Sequence, residues 1–309
     1  MDTQNYQKKQ MQEAAILYYE KKYTQQEVAD RMHLSRQTVS KLLNDALAEN
    51  IVEIRIHNPE ATCTELEKEL CLRTGIKKAV VCGVSSMDEA LRQMMSVRAA
   101  AAYLQDLIER GNQKIAISWG RTIQMLVGEF PDIVTRNNVV FPLFGATDQE
   151  ESYFLSNEIA RSFADKIDAK IQYAWFPYKP DCVDDKKLFE KTSYYKRIYE
   201  LWNQIDIALV GIGNRDVVQT FGRVFGYNEK CLSATGDIST HFFDEEGRFL
   251  ELYENTLCAS VENLKNAKQT IAVASGDGKA EAIMGALRTG VVDTLITDEY
   301  TAKRILKNK

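Results

Sequence analysis

From residue 77 onward, short runs rich in β-branched residues alternate with segments that have the periodicity of amphipathic helices. The runs predict strands at Lys78–Cys82 (or from Lys77), Lys114–Ser118, Asn138–Phe144, Lys170–Phe176, Ile207–Gly211, Thr270–Ser275 and Asp293–Thr297. Helices are predicted between them, among others at Met87–Glu109, Ser152–Lys166, Lys279–Arg288 and Asp298–Leu306. This alternation favours βαβ units, and continuous apolar runs indicate strands covered on both faces. The predicted class is α/β, with an open, parallel, Rossmann-like sheet.

Four of these strands run into turns that contain glycine. The turns are WGRT (Trp119–Thr122), GATD (Gly145–Asp148), GIGN (Gly211–Asn214) and GDGK (Gly276–Lys279). In an open parallel sheet, ligands bind beyond the carboxyl ends of the strands, so these turns are expected at one edge. Glycine lets backbone N–H groups approach an anion closely, and each following helix offers a positive N-terminal end.

Two of the turns place a cation, Arg121 or Lys279, at or near the start of a helix. That position is unfavourable unless an anion neutralises the cation, because the helix dipole already contributes positive charge there. A phosphate group would be such an anion. The alternative is that these side chains pair with a surface carboxylate such as Asp277 or Asp148. Four turns of the same kind favour a phosphorylated ligand.

Asp237 stands in ATGDIST (Ala234–Thr240), before a segment that predicts a hairpin with its turn at Asp244–Gly247. An acid after glycine is usually a turn residue that bonds its own backbone. Near a sugar it could instead accept hydrogen bonds from hydroxyl groups. No GxSxG, HExxH or Walker A pattern is present, so the common motifs of hydrolases, zinc proteases and nucleotide triphosphatases are absent.

Near the N-terminus, the sequence predicts two short helices that meet at a tight corner, preceded by a leading helix at Tyr6–Glu20. Thr24 and Glu27 form the pattern of a capping box, and Ser35 can cap the second helix. Val39, Leu42, Leu43 and Ala46 have the spacing of its buried face. Polar residues on the exposed side predict contacts with bases and phosphates. They are Thr24, Gln25, Ser35, Arg36, Gln37, Thr38, Ser40 and Lys41. This pattern indicates a helix-turn-helix.

Any two-helix hairpin in a soluble domain could show similar caps and a similar apolar stripe. Three details favour DNA binding. Ala29 is small where the two helices would cross, and Arg31–Leu43 contains three basic residues and no acid. Alternating residues at Asn50–Pro59 also predict a strand that would form a wing, with His57 facing solvent.

A length of 309 residues suits a small domain followed by a larger one. With the boundary near Pro59, residues 1–58 are expected to bind DNA, and residues 59–309 to bind the phosphorylated ligand. The segment Thr62–Gly75 is predicted to be a connecting helix. Its apolar positions either form a dimer seam or pack on the next domain, and packing is favoured; they are Leu66, Leu70 and Cys71.

The net charge of −5 means that any DNA contact must come from a local basic face. The six cysteines form no CxxC pair and do not cluster with the three histidines, so neither a metal site nor a disulfide framework is expected. Neither a signal peptide nor a membrane-spanning run is recognisable. These features favour a soluble, cytoplasmic protein without a metal or cofactor.

The order of WGRT, GIG, GD, SGDGK and LITDEYTAKRIL (Leu295–Leu306) behind a helix-turn-helix resembles the SorC family of sugar-responsive bacterial transcriptional regulators. The resemblance implies an effector domain similar in fold to sugar-phosphate isomerases, a phosphorylated sugar as effector and a homotetramer. It also implies these effector-binding residues: Gly120, Arg121, Thr122, Gly145, Ala146, Thr147, Gly213, Asp237 and Lys279. In this assignment Lys279 would contact phosphate and Asp237 the sugar hydroxyls.

The main hypothesis is a transcriptional regulator whose operator binding is controlled by a phosphorylated sugar. One alternative is a sugar-phosphate isomerase or deaminase with a DNA-binding appendage. Asp237 would then be its general base, but no partner acid is evident from the spacing. A further alternative is an oligomeric DNA-binding protein with an empty pocket.

Overall fold

The computed structural model describes residues 3–52, 63–84, 88–226 and 229–307. The chain divides into two compact units, Met1–His57 and Asn58–Lys309. Among the described helices, none combines the length and the apolar character that a membrane crossing needs.

Within its described residues, the N-terminal unit contains three α-helices, α1 (Thr3–Ala15), α2 (Gln25–Met32) and α3 (Arg36–Ala48). They enclose a small apolar core, formed by Met11, Ala14, Ala15, Val28, Ala29, Val39, Leu42, Leu43 and Ala46. The leading helix predicted to Glu20 is α-helical only to Ala15. It widens into a π-helical turn at Ile16–Glu20, which lets Leu17, Tyr18 and Tyr19 pack against this core.

The predicted caps of the helix-turn-helix are confirmed. The Glu27 N–H donates to Thr24 Oγ1 at 3.3 Å, and the Thr24 N–H donates to Glu27 Oε2 at 2.7 Å. Ser35 Oγ accepts from the Thr38 N–H at 3.1 Å. His33 ends α2 in the left-handed conformation, with φ 54°, and this forms the sharp corner before α3. The predicted wing strand and His57 fall mainly on residues 53–62, outside the described residues.

The C-terminal unit alternates strands and helices. Its strands are β1 (Lys78–Cys82), β2 (Lys114–Ile117), β3 (Val139–Pro142), β4 (Lys170–Ile171), β5 (Ile207–Asn214), β6 (Gly236–Ile238), β7 (His241–Phe243), β8 (Phe249–Leu250), β9 (Gln269–Val273) and β10 (Thr294–Asp298). Its helices are α4 (Thr64–Thr74), α5 (Glu89–Ile108), α6 (Arg121–Glu129), α7 (Ser156–Lys166), α8 (Val183–Lys191), α9 (Ser193–Trp202), α10 (Arg215–Phe225), α11 (Val261–Lys265), α12 (Ala280–Arg288) and α13 (Glu299–Lys307).

Strands pair in the order β1-β10-β9-β5-β2-β3-β4, and every neighbouring pair on this path is parallel. The predicted α/β sheet is therefore confirmed. Its carboxyl ends share one edge, where β5 continues beyond the parallel sheet and pairs antiparallel with β6. The strands β6, β7 and β8 form an antiparallel extension that includes the predicted hairpin turn.

The predicted strand Lys170–Phe176 is too long. Only Lys170 and Ile171 pair with β3, because the chain beyond them finds other partners. The Ala174 N–H donates to Asn157 Oδ1 of α7 at 3.0 Å, and Pro177 pairs with Ala146. Local β-propensity could not reveal these partners.

The connecting segment forms α4 and packs on its own unit. Leu70 is fully buried, and Leu66 and Cys71 pack partly buried on the same core. The packing interpretation is therefore confirmed. In contrast, the helices α8, α9 and α10 were not predicted from the sequence.

Candidate ligand cavity and nucleic-acid interface

A cavity of about 410 Å³ lies at the carboxyl edge of the sheet, where β2 and β5 end and the turn after β9 begins. Three of the four predicted glycine turns contribute to it, and the predicted residues in its wall are Gly120, Arg121, Thr122, Gly213, Asp237 and Lys279. The parallel topology explains this convergence. β2, β5 and β9 are neighbours in the sheet, so the turns that follow them lie side by side although they are far apart in the sequence.

Aromatic side chains support one wall of the cavity. The Trp119 ring centroid lies 4.2 Å from that of Phe144, 5.3 Å from that of Phe154 and 5.6 Å from that of Phe221. Trp119 is buried, and both Phe154 and Phe221 line the cavity. An apolar wall lowers the local dielectric constant, which strengthens electrostatic interactions beside it.

Two helices that begin at the cavity have no side-chain cap. α6 follows Gly120 and α12 follows Lys279, and neither of these residues caps its helix with a side-chain hydrogen bond. The first N–H groups of a helix have no partner within the helix, and the dipole adds positive potential. An anion in the cavity would accept hydrogen bonds from these N–H groups and would be attracted by the positive potential.

Asp237 presents a buried, unsatisfied oxygen. Its Oδ2 accepts a hydrogen bond from the Thr240 N–H at 3.1 Å, whereas its Oδ1 has no hydrogen-bond partner. Burial raises the pKa of this carboxyl from 3.8 to about 6, although the Thr240 N–H and Lys279 act in the opposite direction. A ligand hydroxyl would be a suitable donor to Oδ1, because an unsatisfied buried acceptor is costly.

Gly213 makes this position of Asp237 possible. The two residues face each other in the register between β5 and β6. A Cβ at residue 213 would lie 2.0 Å from Asp237 Oδ1 and 2.9 Å from a methyl carbon of Val217. The glycine therefore leaves space for the carboxylate, which explains its place in the GIGN turn.

Lys279 combines burial with positive charge. Its Nζ donates to the Ile212 carbonyl oxygen at 2.9 Å. Burial lowers the pKa of the ammonium group, the charges of Asp237 and Glu89 raise it, and Arg121 lowers it. Arg121 and Lys279 thus place two interacting cations at one cavity, and their mutual repulsion favours the binding of an anion there.

The two carboxylates considered as alternative partners of these cations contact other residues. Asp277 contacts Arg92, and Asp148 accepts from Gln149 Nε2. Arg121 lies over the Tyr153 ring at 4.9 Å. Within the described ranges, neither Arg121 nor Lys279 forms a salt bridge.

The turn after β3 has a structural role in the framework beside the cavity. The Gly145 N–H donates to the Leu257 carbonyl oxygen at 3.0 Å, and Ala146 exchanges backbone hydrogen bonds with Phe176 and Tyr178. Thr147 Oγ1 donates to the Phe154 carbonyl oxygen at 3.0 Å. Gly145, Ala146 and Thr147 do not line the cavity. Ligand contact by these three residues stays a prediction.

Several cavity residues carry no signal in the sequence. Gln93 reaches the cavity from α5, Tyr153 from the 3₁₀ turn Ser152–Phe154, and Ser239 from the turn between β6 and β7. Asn214 could have been found, since it closes the GIGN turn and caps α10 through its Oδ1. Among the described residues, no group of three or more His, Cys, Asp or Glu side chains could hold a metal ion.

In the N-terminal unit, α3 presents the predicted polar face. Arg36, Gln37 and Lys41 are exposed, and Ser40 is half-buried. The hydroxyl groups of Thr24 and Ser35 cap their helices by accepting backbone hydrogen bonds, and Ser35 Oγ also lies 2.7 Å from Thr38 Oγ1. These hydroxyl groups therefore stabilise the motif.

A concave surface adjoins this face, which we call the tyrosine groove. It is a cavity of about 810 Å³ lined by Tyr18, Tyr19, Lys22, Tyr23, Thr24, Gln25, Gln26 and Arg36. Its lining contains no carboxylate, and neither Lys22 nor Arg36 forms a salt bridge within the described part of the chain. The π-helical turn and the left-handed Lys22, with φ 60°, shape the groove. Its donors and cations suit the DNA backbone.

Comparison with known families covers both units. Residues 58–307 match the model of the sugar-binding domain family Sugar-bind, and residues 10–49 match that of sigma-70 region 4. The full-length crystal structure of the sorbitol operon regulator SorC from Klebsiella pneumoniae has a TM-score of 0.74 at 28% identity, covering 96% of this chain and 97% of that one. The chain belongs to the SorC family.

Other relatives agree with this assignment. The deoxyribonucleoside regulator of Bacillus subtilis strain 168 is 30% identical over 303 residues, which cover 96% of each protein. A crystal structure of a probable sor operon regulator from Shigella flexneri has a TM-score of 0.70 at 30% identity, covering 79% of this chain and 98% of that one.

SorC-family membership decides between the hypotheses at a coarse level. The relatives that match along the whole chain are transcriptional regulators. This protein is accordingly a DNA-binding transcriptional regulator with a sugar-binding domain, and the alternative of an isomerase or deaminase is wrong.

Proposed function

We propose that this SorC-family regulator controls carbohydrate genes in response to a phosphorylated sugar, which it binds without a cofactor. The decisive observation is that one cavity joins Lys279 and two uncapped helix starts with the unsatisfied Oδ1 of Asp237. The cationic part suits a phosphate group, and the carboxylate suits sugar hydroxyls. The names of the relatives, a deoxyribonucleoside regulator and a sorbitol operon regulator, support a carbohydrate-derived ligand.

The proposed regulator is a cytoplasmic homotetramer on double-stranded operator DNA. Several recognition helices then bind repeated half-sites, and each further half-site raises avidity through effective concentration. The effector controls DNA binding only if it binds the two arrangements of the oligomer with different affinity. In a repressor, for example, the effector would bind more tightly to the arrangement that does not bind DNA and so release the operator.

A thermal-shift screen tests the ligand class. Pentose 5-phosphates, hexose 6-phosphates and sorbitol 6-phosphate are compared with the unphosphorylated sugars and with inorganic phosphate. A ligand specific for the native state raises the apparent stability by about 2.7 kcal/mol at a hundred times its Kd. We expect such a shift for at least one sugar phosphate and not for its parent sugar. A shift with none of the phosphorylated compounds contradicts the proposal and favours an empty pocket.

Lys279→Ala should abolish the response to the sugar phosphate identified in that screen and leave operator binding in its absence unchanged. The reason is that Lys279 belongs to the cavity wall and not to the helix-turn-helix. Gel-shift titrations with and without the ligand measure both effects. Lys268→Ala is the matched control, because Lys268 is an exposed lysine paired with Asp206. A Lys279→Ala protein that responds at the normal ligand concentration would falsify the assignment.

A further inference from the structure

A buried polar network lies behind the loop Gly276–Lys279, which brings Lys279 and the start of α12 to the cavity. Its centre is Arg92 of α5, whose side chain is only 1% exposed. The guanidinium group contacts Asp277 in the loop, and its Nε lies 3.6 Å from Oδ1 of the fully buried Asp298 at the end of β10. Arg92 thus connects the loop with α5 and β10.

Thr301 of α13 provides the second attachment. Its Oγ1 accepts a hydrogen bond from the Gly276 N–H at 3.1 Å and donates to Asp298 Oδ2 at 2.5 Å. One hydroxyl group therefore bridges the loop and the carboxylate that also contacts Arg92. Both bonds are buried, so the loss of the hydroxyl would leave the Gly276 donor without its partner.

Glu89 of α5 provides the third attachment. Its Oε1 accepts from the Asp277 N–H at 3.1 Å and from Gln93 Nε2 at 3.1 Å, and Gln93 itself lines the cavity. A Cβ at residue 276 would lie 2.7 Å from this oxygen, and the backbone there has φ 137°. The value of φ lies in a region that side chains other than glycine rarely adopt, so the backbone of the loop favours glycine at residue 276.

We propose that Arg92 and Thr301 are positioning residues of the effector site. A loop with glycine at residues 276 and 278 loses much conformational entropy when it is ordered. The network fixes the loop before the ligand arrives, so that Lys279 and the N–H groups of α12 already face the cavity. Preorganisation of this kind raises affinity because less ordering is required on binding.

The helix that carries Thr301 also contacts the first described helix of the C-terminal unit. Thr301 lies on α13, and Arg73 Nη1 of α4 donates to the Leu306 carbonyl oxygen of α13 at 2.7 Å. α4 is the first described helix after the DNA-binding unit. We therefore expect the capture of an anion by the loop to change the stability of α4. This inference rests on the proposed function, whose ligand the loop would bind.

The experiment compares Thr301→Val with Thr301→Ser in the full chain, and inorganic phosphate is the probe. Valine removes the bridging hydroxyl, whereas serine retains it. Thr135→Val is a matched control, since the buried Thr135 Oγ1 also donates one hydrogen bond, to Ile167, and accepts one, from Asn138. Thermal unfolding shows whether the two valine variants are equally folded.

We expect Thr301→Val to raise the Kd for phosphate by about tenfold, by analogy with the lower end of the loss seen when hydrogen-bond partners of metal ligands are removed. Thr301→Ser and Thr135→Val should bind as the wild type does. Hydrogen exchange gives a second readout. Phosphate should slow exchange at residues 276–280 and change it in α4 in the wild type, and both effects should be lost in Thr301→Val.

Arg92 is tested by a graded pair. Arg92→Lys keeps the positive charge but not the fork of donors, whereas Arg92→Gln removes the charge. Affinity for phosphate should fall in the order wild type, Arg92→Lys, Arg92→Gln. A purely structural role would instead lower thermal stability without this order in the Kd.

Two outcomes separate this inference from the proposed function. If Thr301→Val and Thr135→Val bind phosphate equally and exchange equally at residues 276–280, the network does not position the loop, while the ligand class stands. If the wild type binds neither phosphate nor any sugar phosphate, the proposed function fails. Exchange without ligand then still decides the positioning role, which requires faster exchange at residues 276–280 in Thr301→Val.

Discussion

Asp237 reaches the cavity because the residue opposite it on β5 has no side chain. Its Oδ1 is buried without a partner, and its carboxyl holds a proton more tightly than an exposed aspartate does. Such an arrangement costs stability in the free protein, and binding sites commonly carry this kind of local cost. This local cost supports the proposed contact of Asp237 with the ligand.

Asp237→Asn should change how stability depends on pH. Burial raises the pKa of Asp237 in the folded state to about 6, above the ordinary 3.8. An acid whose pKa is raised in the folded state stabilises the fold most below pH 4, where it is protonated in both states. This stabilisation is lost as the pH rises through 6. The difference of about 2 between the folded and the ordinary pKa corresponds to about 3 kcal/mol in the free energy of unfolding. Asparagine cannot ionise, so the variant should gain stability relative to the wild type between pH 4 and 7.

Urea unfolding at pH 4.5, 6 and 7.5 measures this gain. The exposed Asp106 offers a control, Asp106→Asn, which should show no comparable pH-dependent gain. A constant difference between Asp237→Asn and the wild type across this range would show that residue 237 does not titrate there.

At the scale of elements, the helix-turn-helix separates two tasks. The caps of Thr24 and Ser35 fix the helix starts, and the apolar face of α3 packs against α1 and α2. The exposed side of α3 is thus held rigidly without using Arg36, Gln37 or Lys41 for stability. A rigid helix is a precise support for side chains that read bases.

Arg36→Ala should weaken operator binding by about 1–3 kcal/mol and relax specificity at one position, if Arg36 donates two hydrogen bonds to guanine. Fluorescence anisotropy with operators changed at single positions measures both effects. Asn44→Ala is the control, because Asn44 is also exposed on α3 but lies about two helical turns beyond Arg36. Unchanged affinity and specificity would remove Arg36 from the recognition surface.

Lys22→Ala and Lys41→Ala should weaken binding to operator and random DNA equally. Each loses one contact with a backbone phosphate, so the slope of log K against log salt should become less steep by about 1. Lys22 tests the tyrosine groove, and Lys41 tests the exposed face of α3. A variant with the wild-type slope does not contact a phosphate.

At the scale of the whole molecule, the parallel sheet brings the cavity residues together at one edge. The two units have separate cores. The proposed control of DNA binding by a ligand therefore requires a change in the arrangement of the units or of the subunits in the proposed oligomer. A coupling free energy exists only if the ligand prefers one of these arrangements.

The full chain should sediment with the mass of a tetramer at micromolar concentration, as proposed for cooperative operator binding. Its affinity for an operator with two half-sites should exceed that for a single half-site by more than the factor of two expected from statistics, because linked sites act by effective concentration. Analytical ultracentrifugation and anisotropy measure these quantities. A monomer with equal affinity for both DNAs would contradict the proposed assembly.

The sequence by itself determined the features that depend on neighbouring residues. Helix caps, the apolar face of α3, the parallel strands and the glycine turns all follow from short-range periodicity, from capping and from the charge at a helix start. Arg121, Lys279 and Gly213 could therefore be predicted as cavity residues. The order of the motifs indicated the SorC family, and the relatives that match along the whole chain confirmed it.

The tertiary structure alone decided the features that depend on residues far apart in the chain. It showed that Asp237 keeps an unsatisfied oxygen, that Gln93 and Tyr153 complete the cavity, and that residues 145–147 bond to the framework. It also paired Asp277 with Arg92 and Gly276 with Thr301. Hydrogen bonds and burial between distant segments leave no local pattern, because they arise only when the sheet brings those segments together.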